Sequence, residues 1–591
     1  MNTSRTAETS QSPGRWRSRL IIGLMAAVGV ALSLRLIQLQ AIRRHEFGQQ
    51  VSRQSTFRDT LPARPGDLID RHGRLFATTV TTRSLYVVPQ RIENRAEVAR
   101  QIAEALKLEA ATLERRIAEY SDKYFLWVKR RLSEDEVRRV RALKLPAEMW
   151  GFQDEFLRRY PQGALAAQVI GLRDVDGKGQ GGLEQSLDPI LRGRDGWREL
   201  IRDARGRVID VADSATSPPR HGEAVVLTLD AVLQLYTERA LSEMMTQWKP
   251  KSCCAVVLAP QTGEVLAMAS LPTFDPNHPA EVEEAAWKNR TIADIYEPGS
   301  TFKPCVIAWA LQMGCLEHDE VFNCEYGKYR MGRRLLHDHH PYGDLNVVDI
   351  LVKSSNIGMA KIGERMTNEG LHAAATAFGF GRPTGIELPG ELSGVLRPLE
   401  EWNSYSTGSV PMGHEIAATP LQLITAAAVL ANGGRLITPH LVLKIGHREE
   451  TPAPVVMSEV VRRDIAEWVT QHALTEVVRR GTGRRAAIPG YDVFGKTGTA
   501  QKTDPETGKY SNRLHMTSFL CGAPADDPQV LVLVCVDEPS AGGEHFGGTV
   551  AAPAARQILE KALVQLRVPQ RDGTLRSALQ RSTLQAQPAG R

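Results

Sequence analysis

Three short clusters carry residue types suited to acyl transfer. In Glu297-Pro298-Gly299-Ser300-Thr301-Phe302-Lys303-Pro304, Pro298-Gly299 closes a loop, and Ser300 and Lys303 fall one helical turn apart on one face. A serine hydroxyl is a weak nucleophile and needs a base. A lysine one turn away can serve if its neutral form is accessible, which burial and a second nearby cation both favour. Ser354-Ser355-Asn356 offers another hydroxyl and an amide, and Lys496-Thr497-Gly498-Thr499 offers a cation and two hydroxyls suited to a carboxylate. Each cluster alone also reads as a helix cap, a surface lysine or a turn. The specific feature is their order, Ser-x-x-Lys, Ser-x-Asn, Lys-Thr-Gly.

Two other chemistries compete for these residues. Gly490-Tyr-Asp-Val-Phe-Gly495-Lys496-Thr497 matches the nucleotide-binding G-x-x-x-x-G-K-[ST] loop, and Asp537-Glu538 end an apolar run further on. Such a loop must follow a strand and open a helix whose N-terminus meets phosphate. Here Pro489 precedes the first glycine and Tyr-Asp-Val-Phe favours a strand. The residues after Thr497 read as turn, and Pro505, Gly508, Gly522 and Pro524 leave no room for the crossover helix that parallel strands require. A P-loop NTPase is therefore the disfavoured alternative. His337-Asp338-His339-His340 invites a metal, but consecutive residues cannot all face one ion. No metal or cofactor is expected, and the run reads as a polar cleft wall or a solvated loop.

Positioning these clusters requires a particular set of elements. Cys254–Ala259, a turn at 261–264 and Val265–Ala269 predict a hairpin that opens a domain. Helices are predicted over 301–312, 347–362 and 421–430, and strands over 491–494, 517–521 and 530–536. Strands at both ends with helices between imply an antiparallel sheet flanked by helices, within an α+β class. Upstream, short β-type runs at 84–88 and 224–229 alternate with helical stretches at 97–108 and 134–145, an irregular α+β region. Residues 568–591 are polar and predicted to be a disordered tail.

Composition narrows the class. The 591 residues exceed one compact core, and 42% hydrophobic with 24% charged are globular proportions, excluding a collagen-like, wholly disordered or polytopic membrane protein. Net charge is +5 with no basic block, so no nucleic-acid partner is expected. The seven cysteines contain no C-x-x-C pair; Cys254, Cys521 and Cys535 read as core, and Cys315 and Cys324 could pair in an oxidising compartment. Leu20–Leu34 are fifteen uncharged residues, short of the roughly 20 that span hydrocarbon. Arg35 can snorkel, extending the span to Leu39. An uncleaved signal anchor over 20–39 is predicted, following an N-terminus at 1–19; a signal peptide cleaved near Ala31 or Ser33 is the alternative. Arginines on both flanks leave the orientation open.

At the three clusters the chain resembles the class B penicillin-binding proteins, monofunctional peptidoglycan D,D-transpeptidases of division, spore or elongation type. Gly66-Asp-Leu-Ile-Asp70-Arg71-His72-Gly73 is similar to their membrane-proximal segment, with His72 where asparagine is usual. Arg159-Tyr160-Pro161, Gly181-Gly182-Leu183-Glu184, the stretch from Gly413 to Gly434, Gly481-Thr482-Gly483 and Phe546-Gly547-Gly548 resemble further landmarks. The resemblance implies a pedestal (dimerisation-type) domain over 40–245 and a penicillin-binding/β-lactamase-like transpeptidase domain over 246–567. It implies that Ser300 attacks the D-Ala–D-Ala carbonyl of a stem peptide with Lys303 as base, and that the Ser300 and Thr499 amides form the oxyanion hole. It further implies that Ser354 relays a proton, Asn356 orients Lys303, and Lys496 with Thr497 and Thr499, around Gly498, holds the terminal carboxylate.

The implied partners are peptidoglycan stem peptides, β-lactams and a SEDS-type membrane glycosyltransferase, FtsW-like in division or RodA-like in elongation. The implied topology is single-pass in the cytoplasmic membrane, with the N-terminus in the cytoplasm and the catalytic domain periplasmic. The segment 297–304 resembles division-type or spore-type members more than elongation-type ones. A β-lactamase or penicillin-sensing receptor shares the acylation set, but no E-x-x-L-N of a class A β-lactamase lies between Asn356 and Lys496, and such an enzyme would have no need of a pedestal. A non-catalytic scaffold would have no need of three intact clusters.

Overall fold

The computed structural model describes residues 14–42, 56–202, 208–447, 453–504, 507–543 and 545–570. Two compact units emerge: residues 1–63 with 194–220, and residues 64–193 with 221–591. The first unit contains helix α1 (Gly14–Ile37), continued in π form through Ile42. Trp16–Ala41 is long and apolar enough to cross a membrane, about 39 Å at 1.5 Å per residue. Arg35 donates to Gln38 Oε1 at 2.7 Å. The same unit holds a three-stranded antiparallel sheet, in which Gly196–Arg202 lies between Thr56–Leu61 and Val208–Ser217.

The second unit begins with β1 (Leu68–Ile69), β2 (Leu75–Val87), β3 (Leu126–Leu132), β4 (Trp150–Arg159), β5 (Val225–Leu227) and α2 (Ala231–Trp248). It continues with β6 (Ser252–Leu258), β7 (Val265–Leu271), α3 (Lys303–Met313), α4 (Val347–Lys353), α5 (Asn356–Ala377) and α6 (Pro420–Ala431). It closes with β8 (Val442–Ile445), β9 (Phe494–Thr503), β10 (Tyr510–Ala523), β11 (Val530–Asp537) and α7 (Gly547–Gln565). One sheet runs β8-β5-β1-β2-β3, with β4 also paired to β2; only β5 and β1 are parallel.

The other main sheet, β7-β6-β11-β10-β9, is antiparallel throughout. Its inner strands are apolar without alternation because both faces are covered. Cys254, Val256, Leu531, Leu533 and Cys535 pack in the core that contains α3 and α6. Cys253, Ala255, Val257, Val532 and Val534 pack in the core formed with α2 and α7. The period of two along each strand thus sorts side chains between two helical layers.

Two expectations need correction. The helix predicted over 347–362 is broken at Ser354-Ser355, because Ser354 takes left-handed backbone and Ser355 caps a new helix. The strand predicted over 491–494 is instead Phe494–Thr503, so Lys-Thr-Gly and the residues after it are strand, not turn. Its antiparallel pairing with β10 supplies the hydrogen bonds that override the local turn chemistry. Cys315 and Cys324 are unpaired thiols. At the C-terminus Val568 is buried and its carbonyl accepts from Tyr491 Oη at 2.7 Å; residues 571–591 of the expected tail lie outside the described residues, as do residues 1–13.

Candidate active site

Gly299–Thr301 form a 3-10 turn leading through Phe302 into α3, where Pro304 occupies the first turn and its missing N–H costs nothing. Gly299 N–H donates to Gly413 O at 3.1 Å. Gly413 has φ +83°, and a Cβ there would lie 2.1 Å from Gly299 O, so only glycine allows this backbone contact. Phe302 is fully buried, edge-on to Phe380 with centroids 5.2 Å apart. These contacts leave Ser300 half-buried at the cleft and Lys303 fully buried on the first turn of α3.

Ser354 joins α4 to α5 at φ +58°, a conformation costing a non-glycine residue about 1 kcal/mol or more. The bend turns its carbonyl and hydroxyl onto Lys303. Lys303 Nζ donates to Ser354 O at 2.7 Å, Asn356 Oδ1 at 2.9 Å, Ser355 O at 3.2 Å and Ser354 Oγ at 3.3 Å. Ser300 is reached one step on, where Ser354 Oγ donates to Ser300 Oγ at 2.9 Å.

Lys496 on edge strand β9 is also fully buried, and its Nζ donates to Ser354 Oγ at 3.0 Å and Thr497 O at 3.3 Å. The Ser354 hydroxyl therefore uses its one donor and both lone pairs. At Gly498 a Cβ would lie 2.3 Å from Ser518 Oγ and 3.0 Å from Thr301 Cγ2, so glycine lets β9 lie against the nucleophile turn. Thr497 Oγ1 is 2.8 Å from Thr482 Oγ1, and Thr499 Oγ1 accepts from Gly547 N at 3.1 Å, leaving the Thr499 hydroxyl proton free to donate.

Burial lowers Lys303 from the ordinary lysine value to about 7, with the negative charge of Asp338 opposing the fall. Burial lowers Lys496 well below its ordinary value as well, and the charge of Lys303 pushes the same way. Two amines on one hydroxyl in a dry site favour a single shared positive charge.

The surroundings clarify the remaining expectations. Asp338, in the loop singled out for its histidines, accepts from Ser355 Oγ at 2.6 Å and from the amide of Ile357 at 3.1 Å. His339 lies edge-on to Phe546, centroids 5.3 Å apart, so the loop is a cleft wall. Among the described residues no group of three His, Cys, Asp or Glu side chains is arranged to hold a metal. Glu297 is bound by His414 Nδ1 at 2.8 Å, Glu415 N at 2.9 Å and Tyr510 Oη at 2.9 Å. Burial alone would raise its carboxyl, but these partners hold it below the ordinary value. A polar cavity of about 540 Å³, lined by Gln261, Asn432, Arg435, Arg463, Gln471 and Asp527 among others, includes none of the motif residues.

Sequence reasoning missed the supporting contacts of Asp338, Thr482, Gly413 and Gly547. Three of them lie in landmarks noted only for resemblance, and nothing local marks a glycine that faces a distant backbone.

An antiparallel sheet between two helical layers, with a buried serine–lysine cluster at its edge strand, defines a serine acyltransferase. Residues 253–560 match the penicillin binding protein transpeptidase domain, and residues 60–227 the penicillin-binding protein dimerisation domain. The chain belongs to the penicillin-binding proteins, with the two domains in the class B arrangement. It is 33% identical, over 93% of its length and 92% of the relative, to the probable peptidoglycan D,D-transpeptidase PenA of Neisseria meningitidis. It is 32% identical to stage V sporulation protein D of Bacillus subtilis (88% of this chain, 81% of the relative). Peptidoglycan D,D-transpeptidase FtsI of Escherichia coli K12 is 31% identical (92% and 91%). Penicillin binding protein 3 of Mycobacterium tuberculosis, solved with aztreonam, is structurally similar with TM-score 0.67 and 28% identity, covering 87% of this chain and 98% of that one.

Proposed function

We propose that this chain is a membrane-anchored D,D-transpeptidase that cross-links peptidoglycan stem peptides through an acyl-enzyme on Ser300. The observation that carries the proposal is the convergence of Ser300 Oγ, Lys303 Nζ and Lys496 Nζ on the Ser354 hydroxyl. While both amines donate, Ser354 must point its proton at Ser300, and the nucleophile stays idle. When Lys303 loses a proton its lone pair can accept, the chain of hydroxyls reverses, and the Ser300 proton passes toward Lys303. Ser300 Oγ then bonds to the carbonyl carbon of the penultimate D-Ala. The amides of Ser300 and Thr499 hold the developing oxyanion. The C–N bond breaks, and the proton returns through Ser354 to the departing D-Ala amine.

Lys496 and the Thr499 hydroxyl receive the terminal carboxylate, with Thr497 held by Thr482 as their support. An amine from a second stem peptide then attacks the ester, forms the cross-linking amide and returns a proton to Ser300. β-Lactams acylate the same oxygen, a reading supported by the aztreonam-bound relative. With an anchor over 20–39, a pedestal over 40–245 and a catalytic domain over 246–567, the reaction runs outside the cytoplasmic membrane. The relatives FtsI and stage V sporulation protein D favour division-type wall synthesis alongside an FtsW-like SEDS glycosyltransferase. Labelling with a fluorescent penicillin followed by peptide mapping tests the proposal: the adduct is expected on Ser300 and lost in Ser300→Ala. An adduct on any other residue overturns it.

A further inference from the structure

We infer that Asp338 is a positioning residue for this acylation, its carboxylate clamping the α4–α5 corner from which Ser354, Ser355 and Asn356 hold Lys303. The inference rests on the reading of Ser300 and Lys303 just given. All four acceptors of Lys303 Nζ belong to that corner, three backbone or hydroxyl oxygens and the Asn356 amide. Asp338, from a different part of the fold, binds this corner through three hydrogen bonds, and the Cys324 thiol lies 3.5 Å from Ser355 Oγ beside it. Asp338 Oδ2 accepts from Ser355 Oγ at 2.6 Å, and Oδ1 accepts from the amides of Asn356, at 2.5 Å, and Ile357, at 3.1 Å. Those amides open α5 and have no partner within the helix, so an anion is the suitable ligand. The preceding residue completes the grip, because Asn356 Nδ2 donates to His337 O at 3.2 Å. Without the clamp, the left-handed Ser354 would be free to relax, and the acceptors of Lys303 would move with it.

Asp338 also supplies charge. It is the anion that opposes the effect of burial on Lys303, whereas Lys496 is the cation facing the same hydroxyl. The other titratable groups around Asp338 are the Cys324 thiol, which Lys361 also faces, and the Tyr342 phenol, with His337 and His339 on either side in sequence. Lys361 is itself paired with Glu325 at 2.7 Å. A merely structural aspartate would leave the pH dependence of acylation where it was.

The test uses the full-length protein in detergent and measures the rate of fluorescent-penicillin acylation against pH. Asp338→Asn is expected to acylate Ser300 about 10- to 100-fold more slowly. The midpoint of its pH profile should fall by about one unit. Ser355→Ala removes one bond of the clamp but keeps the charge, so its rate should fall while its midpoint stays. The double variant should lose less than the two single losses combined, since the Ser355–Asp338 bond is common to both. An unchanged midpoint with a rate within twofold of the parent in Asp338→Asn overturns the inference. If Asp338→Asn does not fold, a parental rate in Ser355→Ala overturns it. Failure of the parent protein to label at Ser300 would instead overturn the proposed function.

Discussion

Lys303 and Lys496 meet on the Ser354 hydroxyl with no solvent around either amine. Acylation should therefore follow the neutral form of Lys303. Its folded value of about 7 is depressed, so the reactive form gains population as pH rises through 7. The acylation rate is expected to climb about tenfold per unit below that pH and to level off above it, as stopped-flow penicillin labelling would show. Lys303→Ala should lose about 10²- to 10⁴-fold in rate while keeping a cooperative melt, the range for a lost general base. Lys496→Ala should weaken carboxylate-bearing substrates, and saturable ATP binding that disappears with it would revive the P-loop reading. At this scale the chemistry was readable, because Ser-x-x-Lys places both side chains on one turn. A relay through Ser354 was implied by resemblance, but the left-handed bend that aims it was not legible, since no local signal marks it.

Two elements touch at backbone distance around the nucleophile, and each contact depends on a missing side chain. In Gly413→Ala the new methyl would lie 2.1 Å from the Gly299 carbonyl in a backbone already at φ +83°. Neither obstacle can be relieved by a rotamer change, so a loss of about 2 kcal/mol or more in stability is expected, with acylation falling further. In Gly498→Ala the methyl meets Ser518 Oγ and Thr301 Cγ2 instead, so side chains can shift, at a cost of about 1–3 kcal/mol. Thermal melts alongside penicillin labelling would rank the two; equal, parental melting points would contradict both. The hairpin β6–β7, helix α6 and the antiparallel sheet were legible from period and turn residues. The extent of β9 was not, because Gly498 and the turn-like residues after it become strand only through pairing with β10.

At the scale of the molecule, charge leaves the orientation of α1 open, and the proposed chemistry requires the catalytic domain to face the cell wall. A periplasmic reporter fused after Arg591 is expected to be active. Replacing Arg35 with Leu should strengthen resistance to alkaline extraction, since a charge costs about 2.5–3.5 kcal/mol at a bilayer centre and less near an end. An N-terminus mapped just beyond Ser33, with the protein released by osmotic shock, would overturn the anchor.

The strand β8, drawn from the middle of the catalytic region, completes the sheet that β1, β2 and β5 begin. Leu68, Phe76 and Tyr160 also share one apolar core with Cys254, Val306 and Leu421. The junction between the two family domains, around residues 227–253, is therefore a seam in sequence but not in packing. For recombination among relatives this sets a rule: a crossover there would pair one parent's β5 with the other's β8. Chimeras should fold only where the two parents share the register Val225–Ile445 and Val226–Lys444, so the two family domains should exchange successfully only as a matched pair.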